Sequence, residues 1–411
     1  MGGKAILYVV VGFGIIFTLM SFKLGQVSAI TTGNFIGYYN VTKAHNIAVS
    51  GANMAANAIF LDSTWTSGYN NLSFDGGTIN VNVQTLDPVR NIRQITSTAT
   101  YNDSDYVVKV TLQPSQFSKF GYYSVYENGI YFVTGDTVWG PLHTQDYLYV
   151  SGSPVFNGKV TTLKGISKYN RRDKPIFNGG YQQGVSLTIP PTSTSTLETS
   201  ANSNGHTFTG HDTVYLTFAN DSVRYKYTYN GTQTSVLTSS FAPNGTIFAD
   251  NAVLRLQGTV QGQVTVGASS SGSSGKGTIY LDGDITYKTD PLTNPSSTDL
   301  LGIVAQNNVY ITHNTANQDG INIDAAIFAQ NGGFGAQDYD TWVTGSGGNP
   351  AYIHLLGGVT QYTRLPVGTF GGWYGMTGFY KDYRYDNRFM AVAPPNYPAT
   401  GGFEIISWYE Q

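Results

Sequence analysis

The sequence predicts an α+β chain that is mostly β: a long N-terminal α-helix followed by a β-sheet head and a parallel, β-helix-like solenoid. Three observations carry that prediction. Ala5 to Phe22 reads AILYVVVGFGIIFTLMSF, eighteen uncharged residues between Lys4 and Lys23, and no proline occurs before Pro88. After residue 62 the chain turns to Gly, Ser, Thr, Asn and Tyr, with 49 Gly and 30 Tyr overall, a composition that favours strands and turns. Between residues 250 and 362 apolar pairs recur at a nearly constant step, the mark of stacked units that cannot bury their apolar side alone.

The apolar run has the length of a bilayer-spanning helix, for which about 17–25 residues are needed. Val27-Ser28-Ala29 also fits the cleavage site of a secretory signal peptide, but the run exceeds the usual apolar region of about 7–15 residues. A retained helix is the reading taken here. Asn34 to Leu61 continues it without a helix breaker, giving a rod of about 55 residues, or ~80 Å. Ala44, Ala48, Ala52 and Ala56 recur at a spacing of four, with Gly51 and Ala55 beside them, so one face offers backbone at close range. Such a stripe suits close helix-on-helix packing. It suits equally well a helix lying on the chain's own sheet. His45, beside the stripe, reads as a hydrogen-bonded structural residue.

Residues 63–139 alternate apolar and polar side chains in short runs such as TINVNV and YVVKVTL, which predict a small sheet packed on the helix. Gly140 to Thr162 has a strand-turn-strand character, and 140–165 is expected to be an early solenoid coil interrupted by an inserted meander at 166–245. Within that insert the Pro190-Pro191 segment and the Ser/Thr run up to Gly205 predict a surface loop, and Asn230-Gly231 a hairpin turn. The main solenoid is expected over 246–362, from the pairs Leu254/Val260, Ile279/Ile285, Ile303/Val309, Ile327/Gly333 and Ile353/Val359, whose first members are 25, 24, 24 and 26 residues apart. A β-sandwich with regular strand spacing is the alternative. Residues 363–411, rich in Tyr and including Trp373, Tyr374 and Trp408, are expected to cap the open end.

The charge balance narrows the function. With 22 Lys+Arg against 25 Asp+Glu, charged residues are 11% of the chain, against about 25% in an ordinary domain, so long-range electrostatic recognition is not expected. No basic cluster stands ready to neutralise phosphates, which argues against nucleic acid as a partner. The absence of Cys excludes disulfides, thiolate metal sites and cysteine nucleophiles. Asp282, Asp284, Asp324, Asp338 and Asp340 are the carboxylates to weigh for glycoside chemistry, but Asp in a Gly-rich turn more often bonds its own backbone. His143, His206, His211, His313 and His354 show no metal-ligand spacing, and neither a phosphate-binding loop nor a nucleophile elbow is present. No catalytic residue, metal or cofactor is therefore expected. Sequons at Asn40, Asn71, Asn102, Asn220, Asn230 and Asn244 are candidate glycosylation sites, and a glycan coat would supply hydration that the missing charges do not.

The phrase Ala44-His45-Asn46-Ile47-Ala48-Val49-Ser50-Gly51-Ala52-Asn53, behind a membrane-length helix, resembles the helix of PilX-like minor pilins among the type IV pilin-like proteins. The segments GTIYLDGDITY, DLLGIVAQNNVYIT, INIDAAIFAQNG and APPNYP resemble an uncharacterised family of bacterial surface proteins that often follow such an N-terminus. The resemblance implies a subunit that is held in the inner membrane before assembly and polymerises with copies of itself, and with other pilins, into a cell-surface filament or fimbrium. Two departures stand out: no acidic residue precedes Asp62, and Lys4 follows the glycine pair where pilins carry Phe or Met. On this reading Ala44, Ala48, Gly51, Ala52, Ala55 and Ala56 are the helix-packing residues of assembly. The competing expectation is a membrane-anchored or secreted β-helix that binds or cleaves polysaccharide, with surface glycans as its partners.

Overall fold

The computed structural model describes residues 2–87, 91–345, 351–369 and 377–411. It is an α+β chain dominated by strands and led by one helix, Gly2–Leu61. The chain forms two compact units, one reaching from the N-terminal helix to Pro114 and taking back Gly402–Gln411, the other covering Ser115–Gly401.

In the first unit the helix lies on a five-stranded sheet of Tyr69–Phe74, Gly77–Asp87, Ile92–Tyr101, Ser104–Gln116 and Ala399–Glu410, in that spatial order. The first four strands form an antiparallel meander. Its tight turns hold Asp75 and Asn102 at positive φ, a conformation that short polar side chains tolerate. Along Ile92–Tyr101 burial alternates, so Ile95, Ser97 and Ala99 point at the helix while their neighbours do not. The core joins these to Ile79, Val81, Val108 and Val110 of the sheet and to Ile47, Ala48, Ala52, Ala55 and Ile59 of the helix.

The helix can sit this low only because its contact face is small. A Cβ built on Gly51 would lie 2.5 Å from Ser97 Oγ and 2.7 Å from Ile79 Cγ2. The alanine stripe is therefore occupied within the chain: Ala44, Ala48, Ala52 and Ala55 are fully buried in this unit, and Ala56 is half-buried. Of the two roles the small-residue spacing allows, the structure realises the helix-on-sheet one. The small face is spent there and is not offered to another helix.

The second unit is built on parallel ladders. One runs unbroken through ten strands: Tyr181–Gln183, Val160–Thr162, Leu142–Thr144, Tyr122–Tyr126, Tyr352–Thr363, Ile321–Ala329, Leu300–Ala305, Gln263–Ala268, Thr246–Ala249 and His206–Phe208. Its register aligns Val160, Leu142, Tyr122, Val359, Ile327, Ile303, Val266 and Ile247 in one buried column. A second ladder carries Val214, Leu254, Ile279, Val309 and Phe334 in another. These columns meet inside the unit, where Leu254, Ile279, Ile303, Ile327 and Val359 belong to one apolar core.

Several expected boundaries move. Strand Tyr122–Tyr126 belongs to the parallel ladder, so the sheet of the first unit does not extend to residue 139. Residues 166–245 are not an insert: Gly165–Lys168, Ile176–Phe177, Tyr181–Gln183, His206–Phe208 and Thr213–Asn220 all pair in parallel with neighbouring turns of chain. Only Ser222–Lys226 and Thr234–Leu237, which follow Thr213–Asn220, add an antiparallel meander. The Ser/Thr run expected as a loop is a helix, Ser193–Asn204, because Leu197 and Ala201, four apart, bury one stripe with Ser193 and Thr194, while Ser195, Thr196 and Thr199 face outward. The amide of Thr194 donates to the buried Gln330 Oε1 at 2.8 Å, satisfying one of the first-turn donors. The expected C-terminal cap divides in two: Tyr380–Arg384 extends a parallel ladder and Ala399–Glu410 joins the sheet of the first unit. Trp373 and Tyr374 lie outside the described residues.

The helix-on-sheet seat yields a direct test. Overfilling a packed core costs roughly 1–3 kcal/mol. Ala48→Leu or Gly51→Leu is expected to lower the stability of the first unit by about that amount, read as a shifted denaturation midpoint, whereas Asn53→Leu on the exposed side of the same turn leaves it within ±0.5 kcal/mol.

Candidate functional site

The largest unpartnered feature is the N-terminal part of the helix. From Gly3 to Tyr39 every described residue is exposed except the half-buried Gly12. Large apolar side chains stand out on all sides, among them Tyr8 at 74%, Phe17 at 68%, Phe35 at 69% and Tyr38 at 73%. A helix that is apolar all round needs lipid or protein about it. The most apolar eighteen-residue window has a mean hydropathy of 2.3, enough to cross a membrane. Three of the hydroxyls along it bond within the helix: Thr18 Oγ1 donates to the Gly14 carbonyl, Thr31 to Val27 and Thr42 to Tyr38, each at 2.8 Å. Such self-contained bonding is what an apolar medium demands.

The sequence pointed to residues 5–22 for the membrane and to the alanine stripe for assembly. It passed over the stretch between them, where Val27, Ile30, Phe35, Ile36, Tyr38, Tyr39 and Val41 are all exposed. The readable signal was the absence of any acidic residue through that stretch, together with Gly25, Gly33 and Gly37, none of which has an atom near the place a Cβ would occupy.

Four of the five carboxylates weighed for catalysis tie neighbouring segments of chain together. Asp282 takes Arg255 Nε and Nη2 at 2.8 and 2.6 Å and the Thr312 hydroxyl at 2.7 Å. Asp284 accepts the amide of Asn322, and Asp338 lies 2.7 Å from His313 Nδ1. Asp340 is exposed. Asp324 accepts the amide of Tyr287 at 2.8 Å, and burial pushes its carboxyl up to about 6. The histidines are structural or surface groups too. His45 Nε2 sits 3.0 Å from Glu410, His143 is buried against Tyr123 with its pKa taken down by burial to about 4, and His206 and His211 stack separately on Phe241 and Tyr227. Among the described residues no group of three or more His, Asp or Glu is arranged to hold a metal ion. Sequence reading missed one buried ion pair, Arg364 Nη1 to Glu127 Oε2 at 2.9 Å, with the guanidinium 4.0 Å from the Phe132 ring centre. Its partners lie 237 residues apart and become neighbours only through the parallel stacking.

The six sequons divide by what their side chains do. Asn102 Nδ2 donates to Asn40 Oδ1 at 3.1 Å, and Asn244 Nδ2 donates to the Ser200 carbonyl at 2.7 Å, so a sugar on Asn102 or Asn244 displaces an internal bond. Asn71, Asn220 and Asn230 are exposed. Asn71 and Asn220 also have positive φ, so their place in the sequence has a conformational reason independent of any sugar.

No protein-family model matches the chain, and no curated protein does. Among solved structures it is similar to the crystal structure of the competence-associated pilin ComZ from Thermus thermophilus, at 12% identity and a TM-score of 0.34, over 90% of this chain and 97% of that one. So loose a likeness decides neither fold nor function.

Asp324 supplies a pH test. Its folded pKa, about 6, lies above the ordinary value of 3.8, so its contribution is fully present below pH ~4 and is lost as pH rises through 6. Asp324→Asn, which retains an acceptor for the Tyr287 amide, is expected to stabilise the protein above pH 6 by about 2 kcal/mol and to change nothing below pH ~4. Denaturation midpoints of both proteins across pH 3.5–8 check the sign.

Proposed function

We propose that this chain is a non-catalytic, pilin-like structural subunit of an extracellular filament, held in the membrane by its leading helix before assembly. The observation that carries the reading is the extent of the bare helix. Apolar side chains are exposed from Ala5 through Val41, roughly 55 Å at 1.5 Å per residue, while a bilayer core covers only about 30 Å. A simple membrane anchor leaves the remainder, including Phe35, Ile36, Tyr38 and Tyr39, in water. A bundle of identical helices covers all of it.

On this reading the assembling face is the exposed 5–41 segment, in place of the alanine stripe. Gly25, Gly33 and Gly37 let neighbouring helices approach, since a helix interior otherwise loses about 1 kcal/mol per glycine relative to alanine. The β-rich units form the outer shell, with the parallel ladders read as a β-solenoid and with Asn71, Asn220 and Asn230 the sequons best placed for sugar. Copies of the same chain are the principal partner, and other pilins are admissible at a filament tip.

The decisive substitutions lie beyond the first membrane-length stretch. Gly33→Leu combined with Gly37→Leu is expected to leave membrane insertion and the denaturation midpoint unchanged, because nothing in the subunit fills that space, and to reduce sheared filaments at least about tenfold. Electron micrographs of the sheared fraction read the outcome. An unchanged filament yield, or no filaments from the parent chain, overturns the proposal in favour of a plain anchor.

A further inference from the structure

The sparse charge of the chain has one local exception. In the second unit Asn170, Arg171, Arg172 and Asp173 form a tight turn, closed by the Asp173 amide donating to the Asn170 carbonyl at 3.0 Å, so the two arginines occupy its apex. The turn is held from within. The Asn170 amide donates to Asp173 Oδ2 at 2.6 Å, Lys168 Nζ donates to the Asp173 carbonyl at 2.8 Å, and the Lys174 amide donates to the Gly152 carbonyl at 2.8 Å. Asp173, the acid of this loop, is buried and spends its carboxylate on the turn's own backbone. Arg171, Arg172 and Lys174 are exposed, and among the described residues their side chains have no hydrogen-bond, ion-pair or ring partner.

The turn ends a band of tyrosines. Strands Phe132–Val133, Tyr147–Ser151 and Gly165–Lys168 pair in parallel, and since Leu148 and Val150 are buried, Tyr147 and Tyr149 face outward. The Tyr149 ring centre lies 6.4 Å from that of Tyr147 and 5.5 Å from that of Tyr131, and Tyr131 lies 5.5 Å from Tyr169, the residue beside the turn. At the other end Lys164 Nζ stands 5.9 Å from the Tyr147 ring centre and 6.0 Å from that of Tyr126. Lys164 also pairs with Asp146 at 2.8 Å, but its side chain is 46% exposed against 6% for the aspartate. On this flank the acids face in and the cations face out.

A row of phenol rings and hydroxyls suits a hydroxylated polymer, and bare guanidiniums suit a carboxylate. The distribution of charge selects further. Cations stand at the two ends of the band with uncharged phenols between, so it matches a chain whose acids are separated by neutral units. A nucleic acid carries a charge on every nucleotide and gains from rings that offer successive stacking faces. These rings meet at 69°, 76° and 88°, so none continues its neighbour's face.

We propose that the tyrosine band and its arginine turn bind an acidic polysaccharide in which uronate and neutral sugars alternate, with Arg171 and Arg172 holding a carboxylate and Tyr147, Tyr149 and Tyr169 lying along the sugar rings. The interaction is independent of whether the helix builds a filament.

The test uses the full-length chain in an uncharged detergent without a sugar headgroup, titrated calorimetrically with a hyaluronan hexasaccharide, the neutral cellohexaose and hexathymidylate. The hyaluronan fragment is expected to bind at least about tenfold more tightly than either of the others and to weaken as salt is raised. Arg171→Gln combined with Arg172→Gln is expected to weaken hyaluronan binding about tenfold, with the two lysine variants recovering part of the loss. Both arginines are exposed and unpartnered, so an unchanged denaturation midpoint accompanies that loss. Tyr169, 67% exposed, tests the band: Tyr169→Ala is expected to weaken hyaluronan binding about tenfold and Tyr169→Phe, which keeps the ring, by less. No binding at millimolar hyaluronan fragment, equal or tighter binding of cellohexaose or hexathymidylate, or full affinity in the double glutamine variant overturns the proposal.

Discussion

The seating of the helix on the five-stranded sheet decides which surfaces this protein has left to use. Gly51 approaches Ser97 and Ile79 so closely that no side chain fits between them, and the alanines on either side settle into the same groove. Close approach buries Ile47 and Ile59 completely and brings His45 to Glu410 and Lys43 to Asp75 at the margin. Beyond Tyr39, whose ring still meets Tyr101, the described residues offer the helix no apolar cover toward the N-terminus. One continuous helix thus changes character midway, from a docked element with a small buried face to a rod along which large apolar side chains stand bare.

That division turns a local feature into a functional constraint. Exposed apolar surface on this scale must be met by lipid or by other protein, because leaving it in water costs about 25 cal/mol for each Å². Lipid suffices for about half of the bare length and not for all of it. Absence of acidic residues along the whole helix, with Lys4, Lys23 and Lys43 its only charges, removes the device by which helices fix their stagger through opposite charges. In the filament proposed above, steric fit around glycines is what remains to set the register between neighbours.

Much of the β architecture was legible, and the places where it was not share one cause. The recurring apolar pairs correctly marked parallel stacking, but the constant step of 24–26 residues holds for only some true neighbours. Ile303 does pair with Ile327 and Leu254 with Ile279, yet Ile279 pairs with Val309 and Ile327 with Val359. Strand register requires only that side chains alternate in and out at the ladder; the loops between are free to lengthen, as 288–299 does, without disturbing the column. Pairing of Val359 with Tyr122 was invisible for a stronger reason. The early coils stack on the end of the later ones, so neighbours in space are remote in sequence, and no period can report them. The helix at Ser193–Asn204 was hidden by composition, because its hydroxyl-rich face outweighs the short stripe of Leu197 and Ala201 that tertiary contact rewards.

Taken alone, the amino-acid order determined that a proline-free, apolar-led segment is one helix, that most of the rest is strand and turn, and that repeated apolar positions stack in parallel. These follow from local propensity and periodicity, which act over a few residues at a time. Tertiary structure alone decided that the alanine face belongs to the chain's own sheet, that the bare surface lies at 5–41, and that Tyr131, Tyr149 and Tyr169 form one band. Each of those depends on which distant strand supplies the neighbouring side chain, and that choice is made by the summed burial of whole columns, a quantity no short window of sequence contains.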